Sequence, residues 1–297
     1  MNASRLLTEQ VNAASRGIDA RTTSDILGII NDEDRKVAAS VGAEVPRIAQ
    51  AVDRIVEVIR SGGRLFYIGA GTSGRLGVLD AAECPPTFHV PAELVQAVIA
   101  GGQAAVSRAT EASEDDPESG RSDLLARGFT AKDALVGIAA SGRTPYVLGA
   151  IAAAKELGAL TIGIACTPES ELSHLVEIAI TPLAGPEVIA GSTRMKAGTA
   201  TKLVLNMIST AVMIRLGYVY GNLMVNVQPS NSKLEDRAKR IIAEAASVNY
   251  EKAGELLRAA GGSVRTAIVM ARLSLDRASA EARLAAAGGR LSEALGS

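Results

Sequence analysis

Short apolar runs alternate with amphipathic segments through the middle of the chain, and this alternation is its main structural signal. Each run has the length of a buried strand, and segments with helical periodicity separate most of the runs. We therefore expect parallel strands joined by crossover helices, which is an α/β fold with a doubly wound, mainly parallel five-stranded sheet. The five runs cover residues 65–68, 94–99, 135–139, 160–165 and 178–181.

Helical periodicity dominates both ends of the chain. Two N-terminal helices are expected over residues 22–60, because the apolar positions form one stripe that ends at Gly62 and Gly63. From about residue 247, alanine-rich segments separated by glycine pairs indicate short helices. We thus expect N-terminal helices (1–60) packed on a sheet domain (61–246), followed by a small helical C-terminal domain (247–297). The stripe consists of Ile48, Val52, Ile55, Val56 and Ile59.

The most apolar long stretch, residues 203–219, is predicted to be a buried helix. Asn206, Ser209, Thr210 and Arg215 interrupt it, and it falls short of the ~20 apolar residues that a membrane span requires. Residues 1–10 have no apolar stretch followed by a cleavage site, so we expect no secretion and a cytoplasmic location.

Charge and composition exclude several classes of partner. Lys and Arg number 31 against 32 Asp and Glu, a net charge of -1, so no basic field attracts nucleic acid or an anionic membrane. Tryptophan is absent and aromatic residues make up 3%, which leaves little material for stacking on bases. The two cysteines and two histidines form no pair at zinc-ligand spacing, so no metal site is expected.

A glycine-rich turn follows the first predicted strand, at residues 69–74. Its glycines permit a tight turn, while Thr72 and Ser73 add hydroxyl donors beside the amides that open the next helix, an arrangement that holds a phosphate. The spacing also matches the dinucleotide fingerprint, but no acidic residue ends a second strand about 20 residues on. Glycines needed only for packing of helix on strand are the remaining alternative.

Two further polar loops could converge with this turn, since ligands bind at the carboxyl ends of parallel strands. One covers residues 141–144, before Pro145, and the other covers residues 191–196, before a long helix that reaches about Leu216. A solvent-facing role is the alternative for Arg143, Arg194 and Lys196. The predicted substrate- and phosphate-binding residues are Gly71, Thr72, Ser73, Gly74, Arg75, Ser141, Gly142, Arg143, Thr144, Ser192, Thr193, Arg194 and Lys196.

Several longer segments resemble the sugar isomerase (SIS) domain and, within it, the N-acetylmuramic acid 6-phosphate etherase family. The most specific are Glu-Cys-Pro-Pro-Thr-Phe at residues 83–88 and Gly-Ser-Thr-Arg-Met-Lys at residues 191–196. The resemblance covers nearly the whole chain. It also runs through Thr8, Glu9, Asn12 and Ser15 and through residues 30–34, 69–77, 80–82, 185–190, 197–199 and 225–228.

The resemblance implies a homodimer that needs no metal or nucleotide cofactor. It implies a carbon–oxygen lyase that converts a phosphosugar, N-acetylmuramic acid 6-phosphate, and water into N-acetylglucosamine 6-phosphate and D-lactate during cell-wall amino-sugar recycling. The two catalytic glutamates of the family correspond to Glu83 and Glu114. The family's usual Glu-Gly-Ala-Glu-Asp reads Glu-Ala-Ser-Glu-Asp at residues 111–115, which retains Glu114 but changes the loop.

Two carboxyl groups suit this chemistry, because the open-chain aldehyde acidifies the C2 proton and so permits elimination. A base removes that proton, and an acid protonates the departing lactate oxygen. We expect Glu83 to be the acid, because the C-terminal end of a helix disfavours carboxylate, and Glu114 the base, although the roles could be exchanged. The alternative to a catalytic role is a surface carboxylate for Glu83, and for Glu114 it is a place in a solvated run of acidic residues.

Two other functions remain open on the same fold. An aldose–ketose isomerase of amino-sugar phosphates would also use a carboxylate at C2, but it would need no acid for a leaving group. A non-catalytic phosphosugar sensor, similar to the animal glucokinase regulatory protein, would typically contain two SIS domains. A transcriptional regulator would need a basic helix-turn-helix, which the acidic residues 31–34 do not supply.

Overall fold

Five parallel strands form one sheet in the computed structural model of the protein, which describes residues 7–108 and 114–296. The prediction of a doubly wound, parallel five-stranded sheet is confirmed. Its spatial order is β2-β1-β3-β4-β5. The strands are Leu65–Gly69 (β1), Val95–Ile99 (β2), Ala134–Ile138 (β3), Leu160–Ile164 (β4) and Ile178–Ile180 (β5).

The strand order reverses beside β1. The chain moves from β1 outward to β2 and then crosses back to place β3 on the other side of β1, so Gly69 pairs with both Ile99 and Ile138. All residues of β1, β3 and β4 are buried, which explains why these strands are mainly apolar and show no alternation of polar and apolar positions. A reversal of this kind opens a crevice at the carboxyl ends of the two flanking strands, where ligands bind in open α/β sheets.

Helices precede the sheet, connect its strands and follow it. The two predicted N-terminal helices are α1 and α2, and α2 buries the predicted stripe except for Ile59, which is half-buried. The helices are Thr23–Ala43 (α1), Val45–Arg60 (α2), Gly71–Phe88 (α3), Ala104–Ser107 (α4), Pro117–Ala126 (α5), Pro145–Glu156 (α6), Glu171–Leu175 (α7), Lys196–Arg215 (α8), Ser232–Ala246 (α9), Tyr250–Ala259 (α10), Val264–Leu273 (α11), Arg277–Ala286 (α12) and Leu291–Leu295 (α13). Within residues 7–22, three 3₁₀ turns precede α1: Leu7–Glu9, Ala13–Ser15 and Ile18–Ala20.

The chain forms two compact units. The first, residues 1–82 and 93–209, contains the sheet, and a cluster around Phe66, Leu135 and Tyr146 forms part of its core. The second, residues 83–92 and 210–297, has a separate core that includes Ile242 and Ile268. The domain limits expected at residues 60 and 246 stay a prediction.

Helix α8 contains most of the long apolar stretch of the sequence. By length and composition alone it could cross a membrane, but 56% of its most apolar window is buried, and the core helix of a soluble protein passes the same test. Val204, Leu205 and Ile208 are among its fully covered side chains. This burial agrees with the predicted buried helix.

Candidate active site

The turn between β1 and α3 is too tight for side chains at two of its glycines. A Cβ atom on Gly69 would lie 2.7 Å from the Gly74 nitrogen, and one on Gly74 would lie 2.6 Å from the Gly69 oxygen. Gly71 opens α3 with a φ of +52°, which favours glycine. The backbone therefore folds back on itself and places Thr72 and Ser73 in the first turn of a helix, where amide groups lack partners within the helix.

The second polar loop follows β3, the strand next to β1. Gly142 has a φ of +67°, and a Cβ atom there would lie 2.3 Å from the Ser170 side chain. The Ser141 hydroxyl accepts a hydrogen bond from the Arg143 nitrogen at 3.3 Å, and α6 begins directly afterwards at Pro145. The structure thus brings the loops at residues 69–74 and 141–144 to the crevice on either side of the strand reversal.

The third loop joins this crevice because α8 packs beside α3 with its N-terminus at the same end. A Cβ atom on Gly198 would lie 3.4 Å from the Thr72 methyl group. Further along both helices, the Asp80 carboxylate accepts a hydrogen bond from Asn206 at 2.8 Å. These two pairs have the same separation in sequence, so the helices run parallel and in register, and their N-termini are adjacent.

Asp80 links these helices to the sheet. It is 6% exposed, and it also accepts hydrogen bonds from the Tyr67 hydroxyl on β1 at 2.9 Å and from the Ser209 hydroxyl at 3.1 Å. Burial raises the pKa of Asp80, although the hydrogen bonds from Asn206, Tyr67 and Ser209 oppose that effect. A carboxyl group held from three sides fixes α3 against both β1 and α8.

Lys196, the first residue of α8, lies inside the protein and is 1% exposed. Its Nζ donates to Glu33 Oε2 at 2.6 Å and to the Ala184 oxygen at 2.9 Å. The Glu187 carboxylate accepts hydrogen bonds from the Lys196 and Ala197 nitrogens, both at 2.9 Å. The solvent-facing alternative is therefore wrong for Lys196, whereas its predicted contact with substrate stays a prediction.

A buried polar cluster surrounds this ion pair and holds the third loop. Asn12 donates to Glu33 Oε2 at 2.9 Å and to the Pro186 oxygen at 3.0 Å, and the Ser15 hydroxyl donates to the Val188 oxygen at 2.7 Å. Lys36 also donates to Glu33. Burial opposes ionisation of Glu33, but the hydrogen bonds from Lys196, Lys36 and Asn12 lower its pKa to about 2. The loop before α8 is consequently held by the uncharged side chains of Asn12 and Ser15 and by the carboxylate of Glu33 on α1.

The other predicted binding residues differ in their hydrogen bonds and in their exposure to solvent. Arg75 donates to the carbonyl oxygens of Val106 at 3.2 Å and Arg108 at 2.8 Å, so its guanidinium is held by the segment after β2. Arg194 is exposed. Thr72, Ser73, Ser141, Arg143, Thr144, Ser192 and Thr193 are half-buried, whereas Gly74 and Gly142 are buried.

Glu114 lies at the first loop, residues 69–74. Its Oε1 atom is 3.1 Å from the position that a Cβ atom would occupy on Gly71, and its backbone oxygen accepts a hydrogen bond from the Tyr146 nitrogen at 3.1 Å. Glu114 is half-buried, while the neighbouring Asp115 and Asp116 are exposed. The structure thus brings together Glu114 and the first loop, and residues 111–113, where the sequence departs from the family pattern, lie outside the described residues.

Glu83 lies on the same helix as the first loop. It is exposed, belongs to the second unit and precedes Cys84, which is buried. At the end of this helix His89 has a φ of +52°, and its Nε2 lies 2.8 Å from Gln228 Nε2. The catalytic assignment of Glu83 stays a prediction.

Curated relatives match almost the whole chain. The N-acetylmuramic acid 6-phosphate etherase of Caldanaerobacter subterraneus subsp. tengcongensis is 50% identical over 99% of this chain and 96% of its own. The etherase of Synechococcus sp. (strain CC9605) is 54% identical over 97% of this chain and 95% of its own. This chain belongs to the N-acetylmuramic acid 6-phosphate etherase family.

Two further comparisons concern the fold of this etherase-family chain. Residues 47–155 match the family model of the glucokinase regulatory protein N-terminal SIS domain. The crystal structure of a putative phosphosugar isomerase involved in capsule formation from Bacteroides fragilis superposes with a TM-score of 0.51. That structure is 22% identical and covers 66% of this chain and 94% of its own, so it supports the fold alone.

Sequence reasoning missed three buried carboxylates that build this etherase-family site. Glu33, Asp80 and Glu187 are not among the predicted binding residues. Each accepts a hydrogen bond that fixes a helix or loop carrying one of those residues. A signal existed, because all three lie in the segments that resemble the family. Their structural role could not be predicted, because hydrogen bonds between segments that are distant in sequence leave no local sequence pattern.

Proposed function

We propose that this protein cleaves the C3 lactyl ether of N-acetylmuramic acid 6-phosphate in the recycling of cell-wall amino sugars. The products are N-acetylglucosamine 6-phosphate and D-lactate. The observation that carries the proposal is the position of the Glu114 carboxylate against Gly71, because it sets a proton acceptor beside a turn suited to a phosphate. Membership of the etherase family supports the same activity.

In this proposal the 6-phosphate binds at the first turn of α3. Backbone amides there, together with the hydroxyls of Thr72 and Ser73, donate to the phosphate oxygens, and the adjacent N-terminus of α8 adds a second favourable dipole. Ser141 and Thr144 supply hydroxyls from the neighbouring strand end. Arg194, which is exposed two residues before α8 begins, binds the phosphate or the lactyl carboxylate with its positive charge.

The reaction proceeds through the open-chain aldehyde. Glu114 takes the C2 proton, the C2–H electrons form a C2=C3 double bond, and the C3–O bond breaks as Glu83 protonates the lactate oxygen. Water then adds to C3 while C2 is protonated again, through the same two groups in reverse. The sum consumes one water and releases one lactate.

Substitution of each glutamate tests these roles. Glu83→Gln and Glu114→Gln should each lower the rate of lactate release by roughly 10²–10⁴, because each removes one proton-transfer group. Lactate is measured with a coupled dehydrogenase assay, and circular dichroism checks that both variants are folded. A variant whose rate stays within about threefold of the wild type would remove that residue from the mechanism.

Aldose–ketose isomerisation is the second candidate, since a carboxylate at C2 serves it equally well. An isomerase would convert glucosamine 6-phosphate and water into the ketose phosphate and ammonia, because the C2 nitrogen leaves when the C2 carbonyl forms, and it would release no lactate from the muramic acid derivative. Incubation with both substrates separates the two activities.

We further propose that the protein is a homodimer. Leu79 on α3 and Met207 on α8 are 52% and 39% exposed, and both are apolar side chains on the two parallel helices. A second copy that covers them would remove this surface from water. Light scattering should give twice the mass of 30.5 kDa for the wild type, and Leu79→Glu should shift the mass toward that of one chain. A wild-type mass of one chain would refute the proposal.

A cytoplasmic location completes the proposal. Cys84 and Cys166 are both buried and neither is in a disulfide, which suits a reducing compartment. We expect no association with nucleic acid or membrane, in line with the net charge of -1. Fractionation of cells that produce the protein should leave it in the supernatant after ultracentrifugation, and recovery with the membrane pellet would refute this.

A further inference from the structure

Helices α5 and α6 approach each other more closely than side chains allow. A Cβ atom on Gly120 of α5 would lie 1.8 Å from the Tyr146 oxygen, and one on Gly149 of α6 would lie 2.0 Å from the Pro117 oxygen. The contact is reciprocal, because each helix offers a glycine to the first turn of the other. Glycine is the only residue that fits at either position without moving a backbone.

Two hydrogen bonds from one residue reinforce this crossing. The Tyr146 hydroxyl donates to Asp123 Oδ2 on α5 at 2.8 Å. The Tyr146 nitrogen donates to the Glu114 oxygen at 3.1 Å, three residues before α5 begins. Tyr146 is fully buried and lies two residues after Thr144 of the second loop. One residue therefore connects the backbone of Glu114 to the loop that follows β3.

We infer that the glycine crossing of α5 and α6 is a positioning device for Glu114. Residues 114–116 lead directly into α5, so the position of α5 determines the position of Glu114. The start of α6 is held in turn by the short loop that connects it to the end of β3. The crossing thereby holds the Glu114 carboxylate against Gly71. This inference rests on the proposed function, in which Glu114 is the base.

Gly149→Ala tests the device without touching the carboxylate or the phosphate loop. The added methyl group meets a carbonyl oxygen at 2.0 Å, so the helices must separate by roughly 1 Å before the contact becomes tolerable. A displacement of that size in a catalytic group costs about 10² in rate. We expect kcat to fall by about that factor while KM stays within roughly threefold, because the turn at residues 69–74 is unchanged.

Gly63→Ala is the matched control. Its Cβ atom would meet the Lys132 oxygen at 1.9 Å, an equally severe backbone clash, but Gly63 lies before β1, at the amino ends of the strands and away from the crevice at their carboxyl ends. Gly28→Ala on α1 meets nothing within 4 Å and controls for alanine in a helix. At a temperature where circular dichroism shows all variants folded, both controls should keep kcat within about threefold. An equal loss of kcat in Gly63→Ala would overturn the inference.

Tyr146→Phe is the milder second variant and decides the question if Gly149→Ala does not fold. It keeps the ring packing, removes the bond to Asp123, and should lower kcat by roughly tenfold with KM unchanged. Wild-type kcat in every folded variant, with Glu114→Gln inactive, would overturn the positioning device alone. Wild-type activity in Glu114→Gln would instead overturn the role of Glu114 as the base, and a wild-type protein that releases no lactate would overturn the proposed function.

Discussion

The buried ion pair between Glu33 and Lys196 makes a prediction about stability and pH. The two side chains are 3% and 1% exposed and their charged atoms are 2.6 Å apart. Glu33→Gln leaves the Lys196 ammonium buried without its carboxylate, which should lower the free energy of unfolding by about 3–5 kcal/mol at pH 7. The double variant Glu33→Gln with Lys196→Met removes both charges and should be far less destabilised.

The pH dependence follows from the lowered pKa of Glu33. Hydrogen bonds, against the effect of burial, shift this pKa from 4.5 to about 2, which corresponds to roughly 3 kcal/mol of stabilisation above pH 5. Because the folded-state pKa lies below the unfolded one, the stabilisation is lost as the pH falls through 4.5 toward 2. The wild type should therefore lose roughly 1 kcal/mol relative to the double variant between pH 7 and pH 4.

Urea unfolding followed by far-UV circular dichroism measures these differences, since the chain has no tryptophan for fluorescence. The wild type, the single variant and the double variant are compared at pH 7, 5 and 4. A difference between wild type and double variant that does not change with pH would refute the reasoning about the carboxylate. A cost below about 1 kcal/mol for Glu33→Gln would refute the reasoning about the buried charge.

Substitutions at three further positions have distinct expected outcomes. Gly74→Ala would bring a methyl group to 2.6 Å from the Gly69 oxygen, so it should lower stability by about 1–3 kcal/mol and raise KM at least tenfold, measured by thermal unfolding and lactate release. Asp80→Leu removes the acceptor of three hydrogen bonds, from Tyr67, Asn206 and Ser209, and should cost roughly 2–4 kcal/mol. Asp80→Asn keeps an acceptor oxygen and should cost less, and equal urea midpoints for the two variants would contradict this. Arg194→Ala, at an exposed position, should raise KM about tenfold with an unchanged melting temperature, and an unchanged KM would remove Arg194 from the binding site.

The sheet could be predicted from the sequence because each strand carries its own signal. Residues 65–68 and 135–139 are apolar at every position, and a strand buried on both faces requires that pattern. The strand order could not be predicted, since no local pattern says that β3 returns to the far side of β1. That return is what brings the loops at residues 69–74 and 141–144 together.

The candidate site was predictable only where its chemistry is local. The glycine-rich turn at residues 69–74 is a contiguous segment, and the spacing of its glycines reflects the tight backbone approach that the structure shows at Gly69 and Gly74. Lys196 shows the opposite case, because its neighbours in sequence suggest an exposed helix start while its partner, Glu33, lies 163 residues away. The crossing at Gly120 and Gly149 was equally hidden, because a glycine within a helix gives no indication of what approaches it.

The hydrogen bonds from Asn12 and Ser15 to the loop before α8 have a practical consequence for anyone who shortens or tags the protein. Residues that precede the first long helix are commonly trimmed as dispensable. Here, removal of residues 1–16 would leave the carbonyl oxygens of Pro186 and Val188 without these donors and would uncover the ion pair at the start of α8. Expression designs should therefore keep this leading segment and treat it as part of the site.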